Sequence, residues 1–573
     1  MKTESIIQQA RLSAHAGASQ FDDRDSASTQ VPDSGLAYRQ KFDEVLKRIE
    51  QHGSVDASEI LPYLCQDRKI LRAEANLRLG KAFLAAGNHQ QARVFVERAW
   101  MLSDFSPEVM PIYKDILMAL GDTRAIREAY KILGIMAADR GDFVSAILNF
   151  DLFQYAYGNI DRVDRYEYDF DVFDALHRVA QLHRFDSQVP SIEGRKLRIG
   201  YLLRGVTDVS MNLMIISSFM AEFHDRSRFD VQFFSLDPPE RMQESADAQK
   251  WIARFRELGY EITSGPPLPA GANYSDWVLS AARVVHESHL DVLVTSMAPG
   301  SFMHYFVGCL RPAPILVGLV QGAPGMYAAP GMDWCISWSE HPLMDTPVDC
   351  SLVRLKQRCP RKDDVRGYSK AELGIPDDAV VLLAAGRMHK FQGKEQWQVM
   401  AELLERFPQM HYAVVGCEAH HVDFLDSLLP QAVFQRIHFL GWRPDFPRIL
   451  AAADLVVDTY PDGAGQVILE AMAMEKPIVA FRNDFMIAFD MRHWSPVECF
   501  IDDQELVLAR GDWNGFKRVV SQLITDTDYR TQMAARCLDY AKQAKPELAV
   551  AQCEEIYAEL IALRSYAGLI SKG

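Results

Sequence analysis

The sequence predicts an α/β chain in which two doubly wound parallel sheets follow one another behind an all-helical array. Three observations carry this reading. From about residue 196 onward, short apolar runs rich in branched residues alternate with helical segments, the texture of strands buried on both faces between helices. The alternation breaks and then restarts near residue 379. Ahead of both, residues 37–158 place apolar positions three and four apart with no strand-like alternation, which is the helical period.

Size and composition frame the rest. A chain of 573 residues has room for three or four domains. With 48% apolar and 24% charged residues, it is neither disordered, collagenous nor low in complexity. A net charge of −16 repels phosphate backbones and anionic lipid, so neither nucleic acid nor a membrane surface is expected as partner. The nine cysteines are odd in number and scattered singly, with no C-x-x-C; free thiols in a reducing compartment are expected, without disulfides or a zinc site. The first residues lack a continuous apolar core and no run reaches the 18 to 20 apolar residues of a span. The expected location is cytoplasmic, without integral membrane association.

Residues 1–36, rich in Ser, Asp, Gln and Ala, read as a flexible tail. Residues 37–190 form the helical domain. Its window ANLRLGKAFLAAGNHQQARVFVERAW sets Leu79, Gly80, Phe83, Gly87, Ala92 and Ala99 at the small/large spacing of a close helix pair, and KILGIMAADRGDFVSAILNF repeats it with Leu133, Gly134, Gly141 and Ala146. Both windows resemble the tetratricopeptide family. Gly121 follows Gly87 by 34 residues, the expected period, but Gly141 follows Gly121 by only 20, so the array is irregular.

The first sheet domain, 191–360, is expected to use KLRIGYLL, FDVQFFSL, LDVLVTS, APILVGLV and DWCISW as strands. The second, 361–573, is expected to use AVVLLAAG, HYAVVG, RIHFLG, DLVVD and KPIVAF. Its last helix, ELAVAQCEEIYAELIALRSYA, is long enough to cross back to the first domain.

The densest chemistry lies in DLVVDTYPDGAGQVILEAMAMEKPIVAF. A strand ends at Asp458, a turn runs through Asp462, Gly463, Ala464 and Gly465, and a helix opens near Gln466. Small residues there let backbone N–H groups approach a diphosphate, and the helix dipole adds positive potential. Glu470, one turn in, is placed to accept from two ribose hydroxyls. The loop GRMHKFQGKEQW contains Arg387, Lys390 and Lys394.

Asp462 and Glu470 are eight apart, as are the acids of the E-x7-E motif of retaining GT-B glycosyltransferases, and EAMAMEKPIVAF is similar to that family's following segment, with Glu475 in place of its Gly. LRIGY (197–201), NLM (212–214), DRSRFDVQFFSL (225–236), LDVLV (290–294), LRPAPI (310–315) and GAPG (322–325) resemble the bacterial O-GlcNAc transferase (SPINDLY-like) family, which carries tetratricopeptide repeats before an inverting GT-B unit. The resemblance implies two Rossmann-like domains facing a cleft and no metal or other cofactor. It also implies a nucleotide-sugar donor (UDP-GlcNAc-like) and a protein or peptide acceptor, at Ser/Thr or Asn of a flagellin or adhesin, met through the repeats. It further implies Lys390 as the diphosphate-binding lysine, with Gly322 and Gly325 on the donor side. The family's two histidines fall on Asn212 and Asp291 here; Asp291, Asp208 and His304 are the base candidates, with Glu287 a further one. Retaining and inverting outcomes both stay open. The alternatives are transfer to a lipopolysaccharide or capsule glycan, and a non-catalytic scaffold built on a decayed transferase. DFD (169–171) matches a metal-binding D-x-D string but precedes the first sheet instead of following a strand within it, and the pairs His286/His289 and His420/His421 lack further ligands, so none is expected to hold a metal.

Overall fold

In the computed structural model the described residues are 33–158, 169–187, 194–203, 206, 220–267, 274–297, 303–320, 331–337, 350–353, 359–422, 424–460, 463–482, 497 and 501–570. They divide into two compact units, one helical, up to Leu182, and one holding both sheets, from His183 on.

The helical unit contains two tight hairpins, Lys69–Ala85 with His89–Leu102 and Thr123–Asp139 with Phe143–Gly158. They fall on the two windows with small/large spacing. The pairs close because no side chain fits between them: a Cβ on Gly80 would lie 2.3 Å from Val96 Cγ2, and one on Gly134 2.5 Å from Phe150 Cε1. One stop–start device recurs three times. The N–H groups of Asn88, Asp122 and Asp142 reach back to the carbonyls of Phe83, Leu117 and Ala137, each at 2.9 Å, which closes the preceding helix. The same three side chains then cap the next helix through the N–H groups of Gln91, Ala125 and Ser145. Two helices, His89–Leu102 and Met110–Ala119, lie between Gly87 and Gly121, but only Thr123–Asp139 lies between Gly121 and Gly141. That is the physical content of the irregular period. Asp169 of the DFD string caps the helix Phe170–Gln181 through the Val172 N–H and pairs with Lys131 at 2.6 Å.

The second unit has two wholly parallel sheets. The first contains β1 (Leu197–Leu203), β2 (Phe229–Ser235), β3 (Ile262–Thr263), β4 (Val292–Met297), β5 (Ile315–Val320), β6 (Trp334–Ser337) and β7 (Cys350–Leu352), in the order β3-β2-β1-β4-β5-β6-β7. The second contains β8 (Val380–Ala385), β9 (Met410–Val415), β10 (Ile437–Phe439), β11 (Leu455–Val457), β12 (Ile478–Phe481) and β13 (Val507–Leu508), in the order β10-β9-β8-β11-β12-β13. Each sheet therefore starts in its middle, winds one way, and reverses beside its first strand. The crevice at such a reversal, at the strands' carboxyl ends, is where doubly wound sheets bind ligands. The ten expected strands are all present. β3, β7 and β13 are additions of two or three residues at sheet edges, too short to leave a periodic signal.

The second sheet's core holds Leu382, Leu383, Val414, Val456 and Ile478, flanked by Trp397 and Met400. In the first, Ile199, Tyr201, Phe233 and Val294 pack with Val550, Cys553, Tyr557 and Ile561 of the last helix, Pro546–Ile570. That helix does cross back. It is pinned by a buried polar chain: the Glu554 carboxylate lies 2.8 Å from His224 Nδ1 and accepts the Asp225 N–H at 2.7 Å. His224 Nε2 lies 2.7 Å from the Tyr201 hydroxyl, itself 3.3 Å from that of Tyr557. One ring nitrogen of His224 thus faces a carboxylate and the other a hydroxyl, so each of these buried polar groups has a partner, as burial requires. Among the described residues no helix is long and apolar enough to cross a membrane, and the described cysteines are free thiols.

Candidate nucleotide-sugar site in the second sheet

The second sheet reverses between β8 and β11, so the segments leaving these two strands face each other. The one after β8 is held on three sides. The Gly386 N–H reaches the Val415 carbonyl at 3.0 Å, and the Lys390 N–H closes a tight turn on the Arg387 carbonyl at 2.9 Å. Phe391 is buried, and the Trp397 indole N–H donates to its carbonyl at 2.8 Å. This close fit explains Gly416 in the neighbouring loop. Its φ of +83° suits glycine, and a Cβ there would sit 2.3 Å from the Gly386 oxygen.

The segment after β11 is organised by two buried side chains. Asp458 Oδ1 accepts the N–H groups of Thr459 at 2.9 Å and Ala464 at 2.6 Å. Gln396 donates to the Asp458 carbonyl at 2.6 Å and accepts the Tyr460 N–H at 3.1 Å. The Tyr460 ring packs edge-on against Phe481 and Trp513. From across the crevice the Lys390 ammonium donates to the Gly463 carbonyl. The cation thus stands one residue before the buried Ala464–Gly465 step that opens the helix Gly465–Ala473.

No described side chain caps that helix, so its first-turn N–H groups point outward without an intrahelical acceptor. A cation beside such amides is a ready anion site. One turn on, Glu470 Oε1 accepts from Gln466 Nε2 at 2.7 Å. Burial pushes the Glu470 carboxyl above the usual carboxylate range, and the Gln466 hydrogen bond opposes that shift. Cation, uncapped amides and a carboxylate one turn deeper can together receive a diphosphate with a hydroxyl-bearing group behind it.

The expected residues divide as follows. Lys390, Gly463, Ala464, Gly465, Gln466 and Glu470 are brought together. Arg387 is exposed at the start of the same turn. Lys394 is not with them: it is exposed, with its ammonium 5.4 Å from the Phe424 ring. The Gln466 side chain turns along its own helix to Glu470. Asp462, Asp208, Gly322 and Gly325 lie outside the described residues, as does Asn212. His304 is on the helix Met303–Cys309, and its side chain lies outside what is described. Glu287 is exposed at the last position of the helix Tyr274–Glu287.

Asp291 requires a correction. It precedes β4, at the strand end opposite the ligand-binding edge, and is fully buried. Both its oxygens accept from Arg195 at 2.7 Å, and Oδ2 also accepts the Arg198 N–H at 2.8 Å. A carboxylate so engaged ties β1 to β4 and is not poised to take a proton from an acceptor. Sequence reasoning also missed Asp458 and Gln396. The signal for Asp458 was an acid at a strand's last position before a run of small residues. Gln396 carried none, since a polar residue on a helix reads as solvent-facing.

His286 Nδ1 lies 3.2 Å from the Ser187 hydroxyl and its ring stacks on Phe185; His421 Nδ1 accepts the Glu418 N–H at 3.0 Å. Among the described residues no three His, Cys, Asp or Glu side chains gather around a possible metal position.

Residues 379–526, the stretch that builds this site, match the family model "Glycosyl transferases group 1". The lipopolysaccharide core biosynthesis glycosyltransferase LpsE of Rhizobium meliloti (strain 1021) is 30% identical over 176 residues, 30% of this chain and 47% of that protein. The D-inositol 3-phosphate glycosyltransferase of Corynebacterium aurimucosum is 28% identical over 214 residues, 36% of this chain and 49% of that protein. The chain thus spans about half the length of these curated relatives. Among solved structures, a Thermobaculum terrenum O-GlcNAc transferase mutant covers 99% of either chain with a TM-score of 0.52 at 16% identity, a likeness of fold.

Proposed function

We propose that the chain is a GT-B glycosyltransferase that takes a sugar from a nucleotide-diphosphate donor. The observation that carries this is the Lys390–Gly463 contact across the crevice of the second sheet, ahead of an uncapped helix, within the segment matched to group 1 glycosyltransferases. In the reaction an acceptor oxygen or nitrogen bonds to the anomeric carbon while the bond from that carbon to the diphosphate oxygen breaks. The electron pair leaves with the diphosphate. Lys390, Arg387 and the first-turn amides stabilise that charge without rearranging, where such stabilisation is worth most. Glu470 receives ribose hydroxyls. The acceptor's proton passes to a base from the first sheet's loops, with Asp208 and His304 as the candidates. No metal ion is required by this scheme.

For the acceptor, the paired helices of the first unit favour a polypeptide, since stacked hairpins offer an extended face. The relatives support a second reading, a glycan, because they are named for a lipopolysaccharide core and D-inositol 3-phosphate. The test has two stages. Thermal stabilisation by a panel of UDP-, GDP- and ADP-sugars identifies the donor, because a ligand of the native state raises stability by mass action. The stabilising donor is then offered with Ser/Thr- and Asn-containing peptides and with lipopolysaccharide-core oligosaccharides. Stabilisation by none of the donors overturns the proposal; the acceptor that gains mass decides between the two readings.

A further inference from the structure

The side chain of Gln466 occupies the second position of the helix Gly465–Ala473, where it could have faced an anion directly. It turns along the helix instead. Its Nε2 donates to Glu470 Oε1 at 2.7 Å, and the same nitrogen lies 3.8 Å from Cys359 Sγ. An ionised carboxylate only accepts, so this amide orientation suits the charged form of Glu470. It does so at a place where burial works the other way. Among the described residues Oε1 of Glu470 is occupied, while Oε2 accepts no hydrogen bond.

We infer that Gln466 is a positioning residue: it fixes Glu470 in one rotamer and leaves Oε2 to receive the vicinal hydroxyls of the donor's ribose. This rests on the donor reading above. It adds that ribose recognition is a two-residue device spaced four apart on one helix, and that the device is sensitive to pH. Removing the amide leaves a desolvated carboxyl with its main charge-stabilising contact gone, so the carboxyl protonates at higher pH. A protonated Glu470 loses one acceptor and competes with the ribose as a donor. The defect therefore appears on the acid side and vanishes at high pH, whereas damage to the helix would weaken binding at every pH.

The experiment uses the full chain and measures the affinity of UDP, GDP and ADP, with their 2′,3′-dideoxy forms, by calorimetry from pH 5.5 to 8.5. Gln466→Met keeps length and helix propensity but has no N–H. In the wild-type chain the ribo form of the preferred nucleotide binds more tightly than its dideoxy form. In Gln466→Met that preference falls as the pH is lowered toward 5.5 and returns to the wild-type value by pH 8.5. Glu470→Gln loses the preference at all pH values, and adding Gln466→Met to it changes nothing further. A Gln466→Met chain with an unchanged preference and pH profile, beside a Glu470→Gln chain that has lost it, overturns this inference and leaves the donor reading intact. A loss equal at every pH also overturns it, as a packing defect. A wild-type chain that binds none of the nucleotides overturns the donor reading, and this inference with it.

Discussion

Asp458 Oδ1 takes the N–H of Ala464 at 2.6 Å, six residues further along the chain. A single buried carboxylate thus closes the loop after β11 and delivers Gly463 to Lys390. The loop's shape is set by a side chain below the site, and the residues above it are left to meet a ligand. Substituting Asp458→Ala strands the amides of Thr459 and Ala464. Hydrogen bonds to a charged group are worth about 1.5–3 kcal/mol, so urea unfolding should show a loss of that order. Donor affinity should fall with it, and Asp458→Asn, which keeps an acceptor oxygen, should recover part of both.

Lys390 contributes through charge. Lys390→Ala should leave the far-ultraviolet circular dichroism spectrum and unfolding midpoint close to wild type and lower turnover by about two to three orders of magnitude, the usual cost of removing one preorganised stabiliser of a developing anion. Lys390→Arg should retain part of the rate. Full turnover in Lys390→Ala would remove the cation from the mechanism.

Glu475 is held in the left-handed region at φ +57° where the helix Gly465–Ala473 gives way to β12. For a residue with a Cβ that conformation costs about 1–2 kcal/mol. Glu475 is exposed, so little packing offsets the strain. Glu475→Gly should raise stability by about 1 kcal/mol, less than the full strain because glycine is freer when unfolded, with donor affinity unchanged. Equilibrium denaturation measures the first and calorimetry the second.

His411 on β9 and His438 on β10 stack at 5.1 Å between ring centroids, with His411 Nδ1 2.8 Å from His438 Nε2. Burial lowers both their pKa values below the ordinary 6.5, and for His411 the charge of its partner adds to this. The unfolded chain therefore binds more protons than the folded one just below pH 6.5. The pair's contribution is complete above that value and is lost as pH falls through the lower folded values. Urea midpoints should rise from pH 5 to pH 7, and His411→Phe should flatten the slope in that window.

Much of this architecture could be read from the sequence, because strands such as IGYLL (199–203) and VVLLAA (380–385) are buried on both faces and so are almost wholly apolar. The edge strands β3, β7 and β13 were not among those expected. Glu470 was singled out by its spacing from the strand end at Asp458, and Lys390 by resemblance. Gln466 was expected as a donor ligand, but its amide reaches one turn along the helix. Asp291 was expected among the base candidates on resemblance alone, and Arg195, nearly a hundred residues earlier, claims it. Partnerships of that range are set by topology, and no local window contains them.

The chain of hydroxyls and imidazole from Tyr201 to Tyr557 spans 356 residues. During translation, β1 and β2 leave the ribosome long before the segment that seals their outer face. Until Ile561 has emerged, that hydrophobic wall lacks the helix that completes its cover, and the first sheet is an unfinished layer open to chaperones or to other nascent chains. The protein's first-made sheet is therefore completed by a helix translated only after the whole second sheet.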